Sequence, residues 1–198
     1  MAEPSPTLRL FFAVHLDATA ELRRVHRALT ELGPAVRPVD LAQLHVTLRF
    51  LGPTPAHHVQ PLGEALRRAA GTITPEAIRW GGLGRFPRVV YAWPVDPPWL
   101  RTLAAGLERE LATLGFGPAD RPFAAHLTLA RLKPARRRGR GRDAVASPAV
   151  EELVTRHAQT PLGASAVRAV SLLASRLEPT GPVYEVLERA WPPRDAGR

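Results

Sequence analysis

Two short segments of the chain carry the same four-residue pattern, His45-Val46-Thr47-Leu48 and His126-Leu127-Thr128-Leu129. In each, histidine and threonine stand two apart, with an apolar residue between them and a leucine after. Side chains alternate faces along a β-strand, so His45 shares a face with Thr47, and His126 with Thr128. The opposite face of the first strand, with Leu44, Val46, Leu48 and Phe50, is expected to enter the core, as is that of the second, with Leu127 and Leu129. His-x-Thr alone arises by chance in a chain of this size. What sharpens the signal is the shared apolar and leucine positions and an arginine close behind each copy, Arg49 and Arg131.

Strands facing each other across a cleft would line it with two imidazoles and two hydroxyls. Imidazole titrates near neutrality, so one ring can take a proton while the other gives one. Threonine hydroxyls and an arginine can hold a tetrahedral anion. This set suits in-line displacement at a phosphodiester: one histidine deprotonates water and the other protonates the leaving oxygen. Neither segment contains Asp or Glu, so no carboxylate-rich two-metal site is evident there and the site reads as metal-free. The remaining histidines, His15, His26, His57, His58 and His157, lack partners at metal-ligand spacing and read as structural or exposed.

Other residues near this chemistry can be weighed individually. Arg131 follows His126 by five residues, and strict alternation puts it on the opposite face. It reaches the cleft only through a bulge or the end of the strand. Arg49 shares the His45 face by alternation. Phe11 and Trp93 are candidates for stacking on unpaired bases. The run 136–142 holds Arg136, Arg137, Arg138, Arg140 and Arg142 and no apolar residue. It reads as an exposed loop and a candidate contact for RNA phosphates.

Positioning these residues falls to elements whose joints are punctuated by proline and glycine. An opening strand is expected over 8–16. A first helix is expected from an Asp17 N-cap through Leu22, Val25, Leu29 and Leu32 to Gly33-Pro34. A second runs from Thr54-Pro55 (Val59, Leu62, Leu66) to Gly71. A third runs from Asp96-Pro97 through leucines at 100, 103, 107, 111 and 114 to Gly115. A fourth starts at Ser147-Pro148 with Val150, Leu153 and Val154. Further strands are expected over 44–51, 77–83, 89–95, 123–132, 166–176 and 183–187, two pairs of them reading as hairpins. This mixture without a strict βαβ rhythm predicts an α+β fold with antiparallel sheets. No composition break marks a linker, so a single domain over 1–198 is expected.

Composition narrows the function classes. The 198 residues include no cysteine, which excludes a disulfide scaffold, a cysteine nucleophile and a thiolate metal site. Twenty-seven basic against 18 acidic residues leave a net charge of +9, which favours anionic partners. Lys133 is the one lysine among the basic residues, and a GC-rich genome accounts for much of the arginine excess. No segment approaches the roughly 18 apolar residues of a membrane helix. The first residues contain an acid and a short alternating apolar run, which reads as a strand rather than a signal peptide. The expectation is a cytoplasmic monomer without a membrane span or cofactor.

The sequence resembles the two-histidine (2H) phosphoesterases and, within them, the bacterial and archaeal RNA 2′,3′-cyclic phosphodiesterases, also called 2′-5′ RNA ligases. The resemblance is carried by Arg9-Leu10-Phe11-Phe12-Ala13, by Leu44 through Gly52, by Gly81-Gly82-Leu83-Gly84-Arg85-Phe86-Pro87 and by Leu114-Gly115-Phe116. It continues through Arg121-Pro122-Phe123, His126 through Arg131, and Gly181-Pro182-Val183-Tyr184. It implies a two-lobed α+β fold with pseudo-twofold symmetry, each lobe an antiparallel sheet flanked by helices, and an active site in the cleft between them. It implies hydrolysis of RNA 2′,3′-cyclic phosphate ends to 2′-phosphomonoesters, with 2′-5′ ligation as a side activity. Carried over, His45 is the proton donor and His126 the acceptor, with Thr47, Thr128 and Arg131 holding phosphate oxygens. The chain departs from the family at Val36-Arg37-Pro38-Val39, where an aromatic residue is common, and at Ala124, where proline or a bulkier residue is common. Two alternatives remain at this point: a 2H relative acting on a small cyclic nucleotide, such as a cyclic ADP-ribose phosphate, and a non-catalytic RNA-binding module.

Overall fold

The computed structural model describes residues 6–133, 147–178 and 181–191. The arginine run 136–142 lies outside the described residues. The elements in chain order are β1 (Thr7–Leu16), α1 (Ala20–Glu31), β2 (Val36–Pro38), β3 (His45–Pro55), α2 (Val59–Ala70), β4 (Ile78–Phe86) and β5 (Val89–Pro94). They continue with α3 (Pro98–Thr113), β6 (Leu127–Leu132), α4 (Pro148–Arg156), β7 (Ala164–Ser165), β8 (Val167–Glu178) and β9 (Gly181–Trp191). All strand pairs are antiparallel.

The strand order β7-β4-β5-β6-β3-β1-β8-β9 divides into two leaves, with β2 added alongside β6. One leaf is β9-β8-β1-β3 and the other β6-β5-β4-β7. The strands bearing the two histidine motifs meet at the seam, and a single residue pair, Val46 with Leu127, joins them. From that pivot the leaves diverge in both directions, leaving a wedge of space on each side. This is the two-lobed α+β architecture with its cleft between the lobes.

Helices cover one face. α2 packs on β8, β9 and α3, α1 lies against β2 and β6, and α4 rests on β4. The core-facing residues include Phe12, Val14, Leu44, Val46, Leu127 and Leu129, all fully buried. On the other face of the first leaf, Phe11, Ala13 and Leu173 form a smaller apolar cluster capped by Tyr184. Trp80 spends its indole N–H on the Ser165 hydroxyl (2.9 Å) in the interior, which satisfies both polar groups and ties β7 to β4.

Several boundaries move for local reasons. Thr19, not Asp17, caps α1: its hydroxyl accepts the Leu22 N–H at 3.0 Å, while Asp17 pairs with Arg168 at 3.3 Å. Thr54-Pro55 stays in β3, where Thr54 is buried, and α2 begins only after a 3₁₀ turn over Ala56–His58. The strand expected over 123–132 starts at Leu127, because the ladder with β3 begins there and residues 123–126 have no strand beside them. The short strands β2 and β7 lack the length to show an alternating pattern in the sequence.

Candidate active site

Each motif strand carries a bulge at the same place. Opposite the Phe12–Ala13 step the ladder passes from Arg49 to Thr47 and leaves Leu48 as the extra residue. Opposite Val90–Tyr91 it passes from Ala130 to Thr128 and leaves Leu129 as the extra residue. A bulge reverses the alternation beyond it. Phe50 therefore does not enter the core; it is 67% exposed and lies 5.5 Å from Phe11, ring centre to ring centre. By the same device Arg131 turns to the face of His126 and Thr128. Arg49 instead reaches toward α3, donating to the Gly117 carbonyl (2.7 Å) and pairing with Glu108 (3.4 Å).

The two histidines stand at the entrances to their strands, and their surroundings repeat. The Nδ1–H of His45 donates to the Gln43 carbonyl at 2.8 Å. The Nδ1–H of His126 donates to the Ala124 carbonyl at 2.9 Å. A carbonyl can only accept, so each Nδ1 carries a hydrogen and each Nε2 is left for proton transfer. Two aromatic rings flank each imidazole. Phe11 and Tyr184 lie 5.6 and 5.3 Å from His45. Phe86 and Tyr91 lie 5.3 and 5.8 Å from His126. Antiparallel register from the Val46–Leu127 pair sets His45 against Thr128 and Thr47 against His126. The histidines thus lie diagonally across the pivot, near enough for the charge of His126 to act on His45.

Electrostatics distinguish the two rings. Burial lowers the proton affinity of His45, and the charges of Arg131 and His126 lower it further against the opposing hydrogen bond from Gln43. In the free protein His45 is thus biased to the neutral form. An anion beside Arg131 and His126 would offset those two charges.

Space beside the histidines differs by direction. One wedge is a groove of about 680 Å³ lined by Thr47, Phe50, Phe86, Arg121, Phe123 and His126, among others. The other holds a cavity of about 260 Å³ bordered by Arg37, Asp40, Gln43, Arg131, Pro182 and Tyr184. Among the described residues no three His, Cys, Asp or Glu side chains cluster in a way that would hold a metal ion. No helix among them is long and apolar enough to cross a membrane.

The sequence model of the 2′-5′ RNA ligase superfamily matches residues 31–177, a span that includes both histidine motifs and the seam between them. The chain belongs to that superfamily. Among its relatives, the RNA 2′,3′-cyclic phosphodiesterase of Archaeoglobus fulgidus is 32% identical over 187 residues, covering 91% of this chain and 98% of the relative. The crystal structure of TT0787 of Thermus thermophilus superposes with a TM-score of 0.70 at 31% identity, covering 92% of this chain and 96% of that one. Escherichia coli LigT, crystallised with 3′-AMP, gives 0.62 at 30% identity, covering 92% and 97%.

Against this superfamily frame, His45, Thr47, His126, Thr128 and Arg131 converge on one face of the seam. Phe11 offers no accessible face to a base, and the Trp93 ring packs against Gly81. Phe11 is 1% exposed, beneath His45 and Tyr184, with no free face. Trp93 lies over Gly81, where a Cβ would come within 2.1 Å of its ring, and donates its N–H to the Ala158 carbonyl at 3.1 Å. The accessible aromatics are Phe50 and Phe86, the latter 41% exposed and stacked on Tyr91 at 4.4 Å. The phase of Phe50 was hidden by the bulge. Phe86 lies in the Gly81 to Pro87 stretch, whose glycines were the available signal: a Cβ on Gly84 would meet the Tyr91 ring at 2.5 Å. His15, opposite His45 in the β1–β3 register, also enters the neighbourhood of the site.

Proposed function

We propose that this chain is a phosphoric diester hydrolase that opens RNA 2′,3′-cyclic phosphate ends to 2′-phosphomonoesters by paired-histidine catalysis. The observation that carries the reading is the matched pair of imidazoles, each with Nδ1–H bound to the carbonyl two residues before it and Nε2 left for the cleft. The names of relatives similar over most of the chain support the substrate class.

The phosphate lies between the rings, its oxygens held by the Thr47 and Thr128 hydroxyls and by Arg131. His126 takes a proton from water as the water oxygen bonds to phosphorus. The bond from phosphorus to the ribose 3′ oxygen breaks, and His45 supplies the proton that this oxygen needs. The substrate's negative charge offsets the Arg131 and His126 charges that lower the proton affinity of His45 in the free protein, and so favours the protonated imidazole that donates. The two imidazoles account for both proton transfers without a Lewis acid. With the 5′-hydroxyl of a second RNA in place of water, the same displacement breaks the bond to the 3′ oxygen and joins the ends through a 2′-5′ linkage; water at bulk concentration leaves this a side activity.

The test is incubation of the pure protein with a short RNA ending in a 2′,3′-cyclic phosphate, with and without excess chelator, followed by mapping of the phosphate. A 2′-phosphate in both samples is expected. No turnover, or a 3′-phosphate product, overturns the reading. Loss of activity in chelator, restored by one divalent ion, overturns the metal-free mechanism.

A further inference from the structure

β2 and β6 place Arg37 directly across the ladder from Arg131. Facing residues of an antiparallel pair project from the same side, and like charges there destabilise the sheet. Both side chains are exposed, and neither enters an ion pair among the described residues. Both border the cavity of about 260 Å³ beside the seam. Asp40, the carboxylate on its wall, accepts the Ala42 N–H at 2.9 Å. The cavity adjoins the reaction site directly: Gln43, on its wall, holds His45 through its carbonyl, and the Tyr184 ring lies 5.3 Å from His45.

Two guanidiniums facing each other with no ion-pair partner among the described residues are relieved by a bound anion, and arginine grips phosphate through two parallel N–H groups. A cyclic phosphate closes the 3′ end of an RNA, so the chain continues only through the 5′ oxygen of the terminal nucleotide. We propose that Arg37 and Arg131, with Tyr184 beside them, form a second phosphate subsite for the backbone phosphate on the 5′ side of that nucleotide. The proposal rests on the RNA reading above. Arg131 stands between the two phosphates, and Arg37 serves the second alone. The groove holding Phe50 and Phe86 lies beyond the pivot on the opposite side and is left for the terminal base.

Arg168 and Arg189 border a different cavity, of about 410 Å³, on the His15 side of His45. They are the rival location for the same phosphate. Equilibrium binding of adenosine 2′-phosphate and adenosine 2′,5′-bisphosphate separates the two, for the unaltered protein and for Arg37→Gln, Arg37→Lys and Arg189→Gln. The unaltered protein should bind the bisphosphate about tenfold more tightly, the worth of one charge-assisted phosphate contact. Arg37→Gln should bring that ratio close to one, Arg37→Lys should keep part of it, and Arg189→Gln should keep all of it. A ratio near one in the unaltered protein, or a ratio that survives Arg37→Gln or disappears in Arg189→Gln, overturns the subsite. Turnover of adenosine 2′,3′-cyclic phosphate by the unaltered protein is scored separately. Its absence sinks the phosphodiesterase reading, while the binding ratio still decides the subsite.

Discussion

Phe50 and Arg131 occupy the same place in the two leaves. Each lies five residues after its histidine and just past its bulge, and each faces the strand partner equivalent to the other's, Phe11 and Val89. The repeated backbone thus presents an aromatic ring on one side of the pivot and a cation on the other. A nucleotide has the same asymmetry, with a flat base and charged phosphates, and a site of this form can bind it in one direction.

The histidine roles can be separated by the leaving group. His45→Ala and His126→Ala should each lower kcat on a cyclic phosphate by roughly 10²–10⁴, the usual worth of a positioned acid or base. An aryl phosphodiester expels a phenolate that needs no proton. On that substrate His45→Ala should keep most of its activity while His126→Ala remains impaired. Equal losses on both substrates in both variants would remove the assignment of acid and base.

Stacking on the groove should appear mainly in KM. An aromatic–base contact is worth about 1–3 kcal/mol. Phe50 has little packing to lose, so Phe50→Ala should raise KM for a cyclic nucleotide with kcat nearly preserved. Phe86 also touches His126 and Tyr91, so Phe86→Ala should raise KM and lower kcat as well. Steady-state kinetics on both variants decide this, and an unchanged KM in Phe50→Ala would take the base out of the groove.

His15 should make folding stability fall in mild acid. Burial, then the charges of His45, Arg168 and Arg189, lower its pKa from 6.5 to about 4. The unfolded chain therefore binds a proton near pH 6.5 that the folded chain refuses until about pH 4, and stability declines as pH falls across that window. His15→Gln should flatten part of the decline, since His45 acts in the same direction. Denaturant midpoints at pH 7 and pH 4.5 measure it. The same slope in both proteins would assign the effect elsewhere.

Gly84 should be required for the placement of Tyr91 rather than for a turn. A Cβ there would lie 2.5 Å from the Tyr91 Cζ and 2.6 Å from its hydroxyl oxygen. Gly84→Ala should cost about 1–3 kcal/mol through overpacking. It should also lower kcat, because the displaced ring flanks His126. Thermal melts and kcat together test this, and a variant with full activity and unchanged melting would show that the ring has room to move.

The candidate site was legible from residue type and spacing. Two His-x-Thr segments with leucines at matched positions point to two matched strands, each with an imidazole and a hydroxyl on one face. Gly33, Gly71 and Ser147 marked helix ends because caps depend on local backbone geometry. The faces of Phe50 and Arg131 were not legible. A bulge shifts alternation by one residue, and what creates it is the register imposed by the neighbouring strand, which no local pattern records. The apolar side chains of Phe11 and Trp93 gave no indication of whether their rings would be buried or open to a base. The charge balance could not place Arg37 across from Arg131, because that pairing exists only once β2 lies on β6. Residue chemistry is a local property and the sequence carries it directly, whereas register, burial and the meeting of distant strands are set by packing the whole chain.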